Sequence, residues 1–179
     1  MNTGQGLLTI LSMLLLSSLI LRVNSTNMSS GNVVIRSKYS TEALSVAETR
    51  LEEITGNSGN TGKSKAFDEF TVHTNLSSLN QLTAPANLGP DAGETYPNFD
   101  DVDDYNKFAT TDTVWPDPSN SRMFDTFRDS CSVFYVKEYP DSISSVASYY
   151  KKIVVFVTGK YMQGDTVKIS TVFSYFLFR

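Results

Sequence analysis

From Met1 to Leu21 no side chain carries a charge, and Leu7 to Leu21 reads LLTILSMLLLSSLIL. These 15 residues fall short of the roughly 20 that a membrane-crossing helix needs. Gly4 to Gly6 on one side and Val23 on the other extend the run to a workable length. The pattern changes at Asn24-Ser-Thr-Asn-Met-Ser-Ser-Gly-Asn32, where residues poorly suited to a helix interior predict a break or a loosened turn. Helical periodicity resumes at Val33. Leu44, Ala47, Leu51 and Ile54 are spaced 3, 4 and 3 apart, one stripe of a helix, with Glu42, Glu48, Glu52 and Glu53 mostly off it. Thr55-Gly-Asn-Ser-Gly-Asn-Thr-Gly62 then stops the helix. The first 55 residues therefore read as one long helix or two stacked ones. Fully helical, residues 5–54 would span about 75 Å, so the front part is expected to project from a compact domain.

Beyond this helix the period shortens to two. A loop-rich stretch from Thr83 to Asn120 holds five of the six prolines. Cys131 to Lys137, Lys151 to Thr158 and Thr166 to Phe178 read as strands, the last two joined as a hairpin through Gly164-Asp165. In the last strand Val167, Ile169, Phe173, Tyr175 and Leu177 share one face. Val172, Phe176 and Phe178 make the other face apolar too, which predicts a covering helix or a neighbouring subunit. The fold class is α+β: a long N-terminal helix whose second half packs on an antiparallel sheet of three or four strands.

Composition sharpens the division. Of 21 aromatic residues, 20 follow Lys65, and aromatic side chains supply much of a core's buried area. The core is therefore C-terminal. The net charge of -4 offers no basic stripe for a nucleic acid, so no nucleic-acid partner is expected. Cys131 is the one cysteine, which excludes an internal disulfide; within its apolar strand it reads as a small buried hydrophobe.

Two fates compete for the apolar run. A cleaved secretory signal peptide has such a stretch, and Val23-Asn-Ser25 offers a small-residue cleavage site. Such a signal normally opens with Lys or Arg, and none precedes Arg22. A retained membrane anchor is the expectation. Arg22, Arg36 and Lys38 hint at a cytoplasmic C-terminal side, but the strand-rich, Ser/Thr-rich remainder favours the outside.

Several stretches carry a family resemblance. Leu44-Ser-Val-Ala-Glu-Thr-Arg-Leu-Glu-Glu-Ile54 resembles the end of a type IV pilin helix. Lys65-Ala-Phe-Asp-Glu-Phe70 and Tyr96-Pro-Asn-Phe-Asp-Asp-Val-Asp-Asp-Tyr-Asn106 resemble segments of minor-pilin-like proteins. Tyr150-Lys-Lys-Ile-Val-Val-Phe-Val157 and Asp165-Thr-Val-Lys-Ile-Ser-Thr-Val-Phe-Ser-Tyr175 resemble their closing hairpin. The chain thus resembles a type IV pilin, pseudopilin or minor pilin along nearly its whole length. Pilins have a basic leader ending in glycine, followed at the fifth residue after the cut by glutamate. Gly6 stands where that cleavage glycine would be, but no basic residue precedes it, and Leu11 stands in place of the glutamate.

The resemblance implies a structural subunit of an extracellular pilus-like filament. Its assembly surface would comprise Leu7, Leu8, Ile10, Leu11, Leu14, Leu15, Leu16, Leu19 and Ile20. Its partners would be identical or related subunits, with the inner membrane holding it before assembly and the cell surface its destination. Residues 1–32 would be the hydrophobic helix and joint, 33–62 the amphipathic half and loop, and 63–179 the β-rich domain. The alternatives are a minor component of a pilus or type II secretion machine, and a secreted binding protein.

Candidate chemistry is sparse. Asp100, Asp101, Asp103 and Asp104 crowd four carboxylates into five residues. Calcium favours several oxygen ligands on flexible loops, and some pilin relatives bind it in their C-terminal region. The run lacks the order of an EF-hand loop, and a solvated acidic loop over Phe99 and Tyr105 is the plainer expectation. His73, the single histidine, lies in Phe70-Thr-Val-His-Thr74, which reads as a short strand without catalytic partners. Nothing in these patterns points to an enzyme, and beyond calcium no cofactor is expected.

Overall fold

A computed structural model of the chain describes residues 3–56, 65–114, 125–137 and 142–176. Two compact units divide the chain, residues 1–39 and residues 40–179. One helix, α1 (Thr3–Thr55), runs through the first and into the second.

In residues 3–39 the helix is continuous, and this corrects the expected break. Residues 24–32 are helical throughout. Each Ser, Asn or Gly costs about 0.5–1 kcal/mol against the best helix formers. No proline interrupts the segment, so helix propagates into it from both flanks at one bond per residue. The Thr26 hydroxyl donates to the Arg22 carbonyl at 2.9 Å. The same device recurs upstream, where Ser12 donates to Thr9 at 2.9 Å and Ser18 to Leu15 at 2.8 Å. These hydroxyls find acceptors within their own helix, which removes the cost of placing them in apolar surroundings.

In residues 40–179 the last turns of α1 pack on a four-stranded antiparallel sheet. Its strands are β1 (Ala109–Val114), β2 (Asp125–Tyr135), β3 (Tyr150–Gly159) and β4 (Thr166–Ser174), ordered as a simple meander. Cys131 lies opposite Val155, and Val155 opposite Ile169, so one register carries the core across three strands. The inner face presents Phe127, Cys131, Val133, Tyr135, Ile153, Val155, Val157 and Phe173, all buried. The helix answers with Ala43, Val46, Ala47 and Ile54. Burying one such large aliphatic residue contributes about 1.5–3 kcal/mol. The β3–β4 turn is a 3-10 turn over Lys160–Met162, after which Gln163 and Gly164 take positive φ of 53° and 91°.

Three readings need correction, and one strand was not read from the sequence. The buried stripe of α1 runs through Ala43, Val46, Ala47, Arg50 and Ile54, while Leu44 is 38% exposed and Leu51 half-buried. A paired arginine takes the place that periodicity alone gives to leucine. His73 ends a short helix, α2 (Glu69–His73), instead of lying in a strand, because Asp68 caps that helix and Thr71 returns the bond. β4 ends at Ser174, and Leu177 and Phe178 lie outside the described residues. β1 was not anticipated, since Ala-Thr-Thr-Asp-Thr-Val has too few apolar side chains to show an alternation.

Candidate functional site

The first candidate surface is the apolar part of α1. Leu7, Leu8, Ile10, Leu11, Leu14, Leu15, Leu16, Leu19 and Ile20 are 58–71% exposed. Among the described residues, α1 is the one helix long and apolar enough to cross a membrane. Gly6 closes its first turn, with open space around it.

The second candidate is the acidic loop, and the structure corrects the solvated reading. Asp101, Asp103 and Asp104 are each 2% exposed, and Phe99 and Tyr105 are buried with them. Their carboxylates shape the loop. Asp101 Oδ1 accepts the Asp103 and Asp104 N–H groups at 2.7 and 3.2 Å. Asp104 Oδ2 accepts those of Asp100 and Asp101 at 3.1 and 3.3 Å. Asp103 is committed elsewhere, its Oδ1 lying 2.6 Å from Lys151 Nζ. Lys151 is fully buried and also meets Asp68 Oδ2 at 3.0 Å. The Tyr135 hydroxyl is 3.0 Å from the same Asp68 oxygen and 2.9 Å from the Thr83 carbonyl.

The four aspartates therefore do not converge on one centre. Two triads do bring carboxylate oxygens within 4.8 Å of one another: Glu69 with Asp100 and Asp101, and Glu94 with Asp100 and Asp104. Asp103 belongs to neither. Sequence reasoning missed Glu69 and Glu94, which approach from α2 and from the loop before the cis Tyr96–Pro97 bond. Burial, followed by the charge of Asp103, pushes the Asp101 carboxyl far above its usual range. Burial is also the largest cause for Asp104, raised to about 7, with Glu94 adding to it against bonds from backbone N–H groups. Glu69 and Asp100 are raised as well, by burial first and then by neighbouring carboxylates. Crowded like charges hold protons in this way, and a hard divalent cation with oxygen ligands relieves the same repulsion.

A second buried charge sits where α1 meets the sheet. Arg50 Nε is 2.6 Å from Asp129 Oδ2, Nη2 is 3.0 Å from Asp112 Oδ2, and Nη1 bonds Glu53. Its guanidinium also lies over the Tyr96 and Phe108 rings, 5.4 Å from each centroid. Burial works against the arginine's charge, but bonds to Tyr96 and Asp129 more than offset it. The burial and pairing of Arg50 and Lys151 were missed by the sequence reading, although a signal existed. Lys151 shares its strand face with Ile153, Val155 and Val157, and Arg50 stands three residues from Ala47 and four from Ile54. Cys131 is buried as expected, and burial pushes its thiol up to about 12, which leaves it inert.

No family model matches the chain, and no curated protein or solved structure matches it either.

Proposed function

We propose that the chain is a membrane-anchored structural subunit that assembles through α1 into a pilus-like filament, with residues 40–179 as the domain carried outside. One observation supports this reading above all. The ten large apolar side chains from Leu7 to Ile20, Met13 among them, stand 58–71% exposed, on a helix with no charge before Arg22. A contiguous apolar surface of that kind marks a membrane or protein contact. Outside lipid the hydrophobic effect drives it into a bundle of like helices, while within a bilayer side-chain packing brings such helices together. The resemblance of the helix end and closing hairpin to pilins supports the same reading.

Leu14→Asp in the full-length chain tests it. A buried, unpaired carboxylate costs several kcal/mol, and each subunit repeats that cost. Filaments are expected to disappear while residues 40–179 keep their fold. Normal filaments from Leu14→Asp would overturn the assembly reading. A second reading, a secreted binding protein, draws on Val23-Asn-Ser25 as a cleavage site. Mass spectrometry of mature material separates the two, since only the anchored subunit retains Leu7 to Leu21.

A further inference from the structure

The apolar surface of α1 continues past the uncharged run through Val23, Met28, Val33, Val34 and Ile35, and one column within it keeps a fixed period. Leu7, Leu14, Leu21, Met28 and Ile35 recur at every seventh residue, and each is more than half exposed. The column three residues further on holds Ile10, Ser17, Asn24 and Gly31, exposed as well. One column is thus large and apolar, and its neighbour narrows to hydroxyl, amide and glycine. Small residues let helix backbones approach closely, and Ser and Asn bond across such a contact. A strict seven-residue period drifts about 20° per repeat on a straight helix, so a partner following it winds around left-handed.

We propose that this seam is a parallel contact between two copies of the chain, each setting Leu7, Leu14, Leu21, Met28 and Ile35 against the same column of the other. The proposal rests on the membrane-anchored, assembling subunit described above and adds the face and the partner. Lipid does not account for the whole column. A bilayer core takes up about 20 helical residues, here Gly4 to Val23. Met28 and Ile35 then lie roughly 7 and 18 Å further along the axis, Met28 at the outer edge of the headgroup layer and Ile35 in water. A contact surface that crosses the membrane boundary without changing its period calls for one partner that crosses it too.

Charge also favours an identical partner. The only charged residues before Lys38 are Arg22 and Arg36, and each directly follows a member of the column. One residue is about 100° of rotation on an α-helix, so both arginines stand off the seam, and copies sharing one direction bring no like charges onto it. Anchoring every copy by the same end imposes that common direction. Leu7 to Ile35 makes a strip about 43 Å long and about 10 Å wide. That is about 430 Å² per copy, roughly half of what a standard specific interface buries on each partner. One seam therefore makes a weak pair and leaves the other sides of Leu7 to Leu21 for further copies.

Cysteine cross-linking of the full-length chain in its membrane tests the seam. Met28→Cys and Ile35→Cys stand on the column; Ser30→Cys and Val33→Cys stand off it, and all four positions are exposed. The unsubstituted chain, with Cys131 buried, gives the background. Under mild oxidation the column variants are expected to form disulfide-linked dimers several-fold more than the off-column pair. Equal yields, or higher yields from Ser30→Cys or Val33→Cys, would overturn the seam. If the unsubstituted chain still assembles in that case, the proposed function stands without it. Column-selective dimers in a chain that never forms filaments would uphold the seam and overturn the filament.

Discussion

Leu14 and Lys151 occupy inverted environments. In residues 3–39 a leucine is 63% exposed, and in residues 40–179 a lysine is fully buried. The first region carries large apolar side chains that stand more than half exposed. The second takes Arg50 and Lys151 out of water and pairs each with carboxylates. A buried charge requires its partners in place, so the second region closes its interactions internally. Exposed leucines require a surface from elsewhere. The contrast is between one region that buries large side chains and the cations Arg50 and Lys151, and another that leaves its large side chains exposed.

The strongest way to break this comparison is to strand the buried charges. Lys151→Met leaves Asp68 and Asp103 without their cation, and removing one partner of a buried pair costs about 3–5 kcal/mol. Chemical denaturation of the full chain in detergent is expected to show that loss. Adding Asp103→Asn to Lys151→Met is expected to recover part of it, because one of the stranded charges is gone. Stability unchanged in Lys151→Met would mean that the second region does not depend on its internal pairing.

A smaller effect should appear with pH. Asp101 and Asp104 keep their protons above the usual carboxylate range when folded, Asp104 to about 7. The folded state therefore binds more protons than the unfolded one from about pH 4 up to about 7 for Asp104 and about 10 for Asp101. Stability is then expected to fall as pH rises across this window. Glu94→Gln removes a charge that raises Asp104, so it should flatten the dependence. A Tm that rises steadily from pH 5 to 7 would contradict the arrangement of these carboxylates. Added calcium sharpens the same measurement. A gain in Tm confined to the higher pH is expected if the triads of Glu69, Glu94, Asp100, Asp101 and Asp104 take a cation, and an identical Tm removes calcium from the account.

The smallest expected change belongs to the first region. Leu8→Ala in the full chain held in detergent should alter the unfolding of residues 40–179 by no more than about 0.5 kcal/mol, as for other exposed positions. A larger loss would show that the apolar helix is supported by its own chain, and the contrast between the regions would fail.

The sequence by itself determined the elements whose causes are local. An uncharged apolar run followed by spaced leucines and alanines makes a helix, Gly56 stands at its end, and alternation marks β2, β3 and β4. Those patterns follow from the periods of backbone geometry, which neighbouring residues alone set. Weak propensity in residues 24–32 misled for a related reason, because a few unfavourable residues within 53 helical ones do not outweigh propagation from both sides. Only the tertiary structure decided the fate of the charges. Lys151 meets Asp103 and Asp68 across 48 and 83 residues of sequence, and Arg50 meets Asp129 across 79. An acidic run reads as solvated until the chain brings a cation under it. Whether a charge is buried depends on partners that converge only when the sheet closes over the helix, and no local period carries that information.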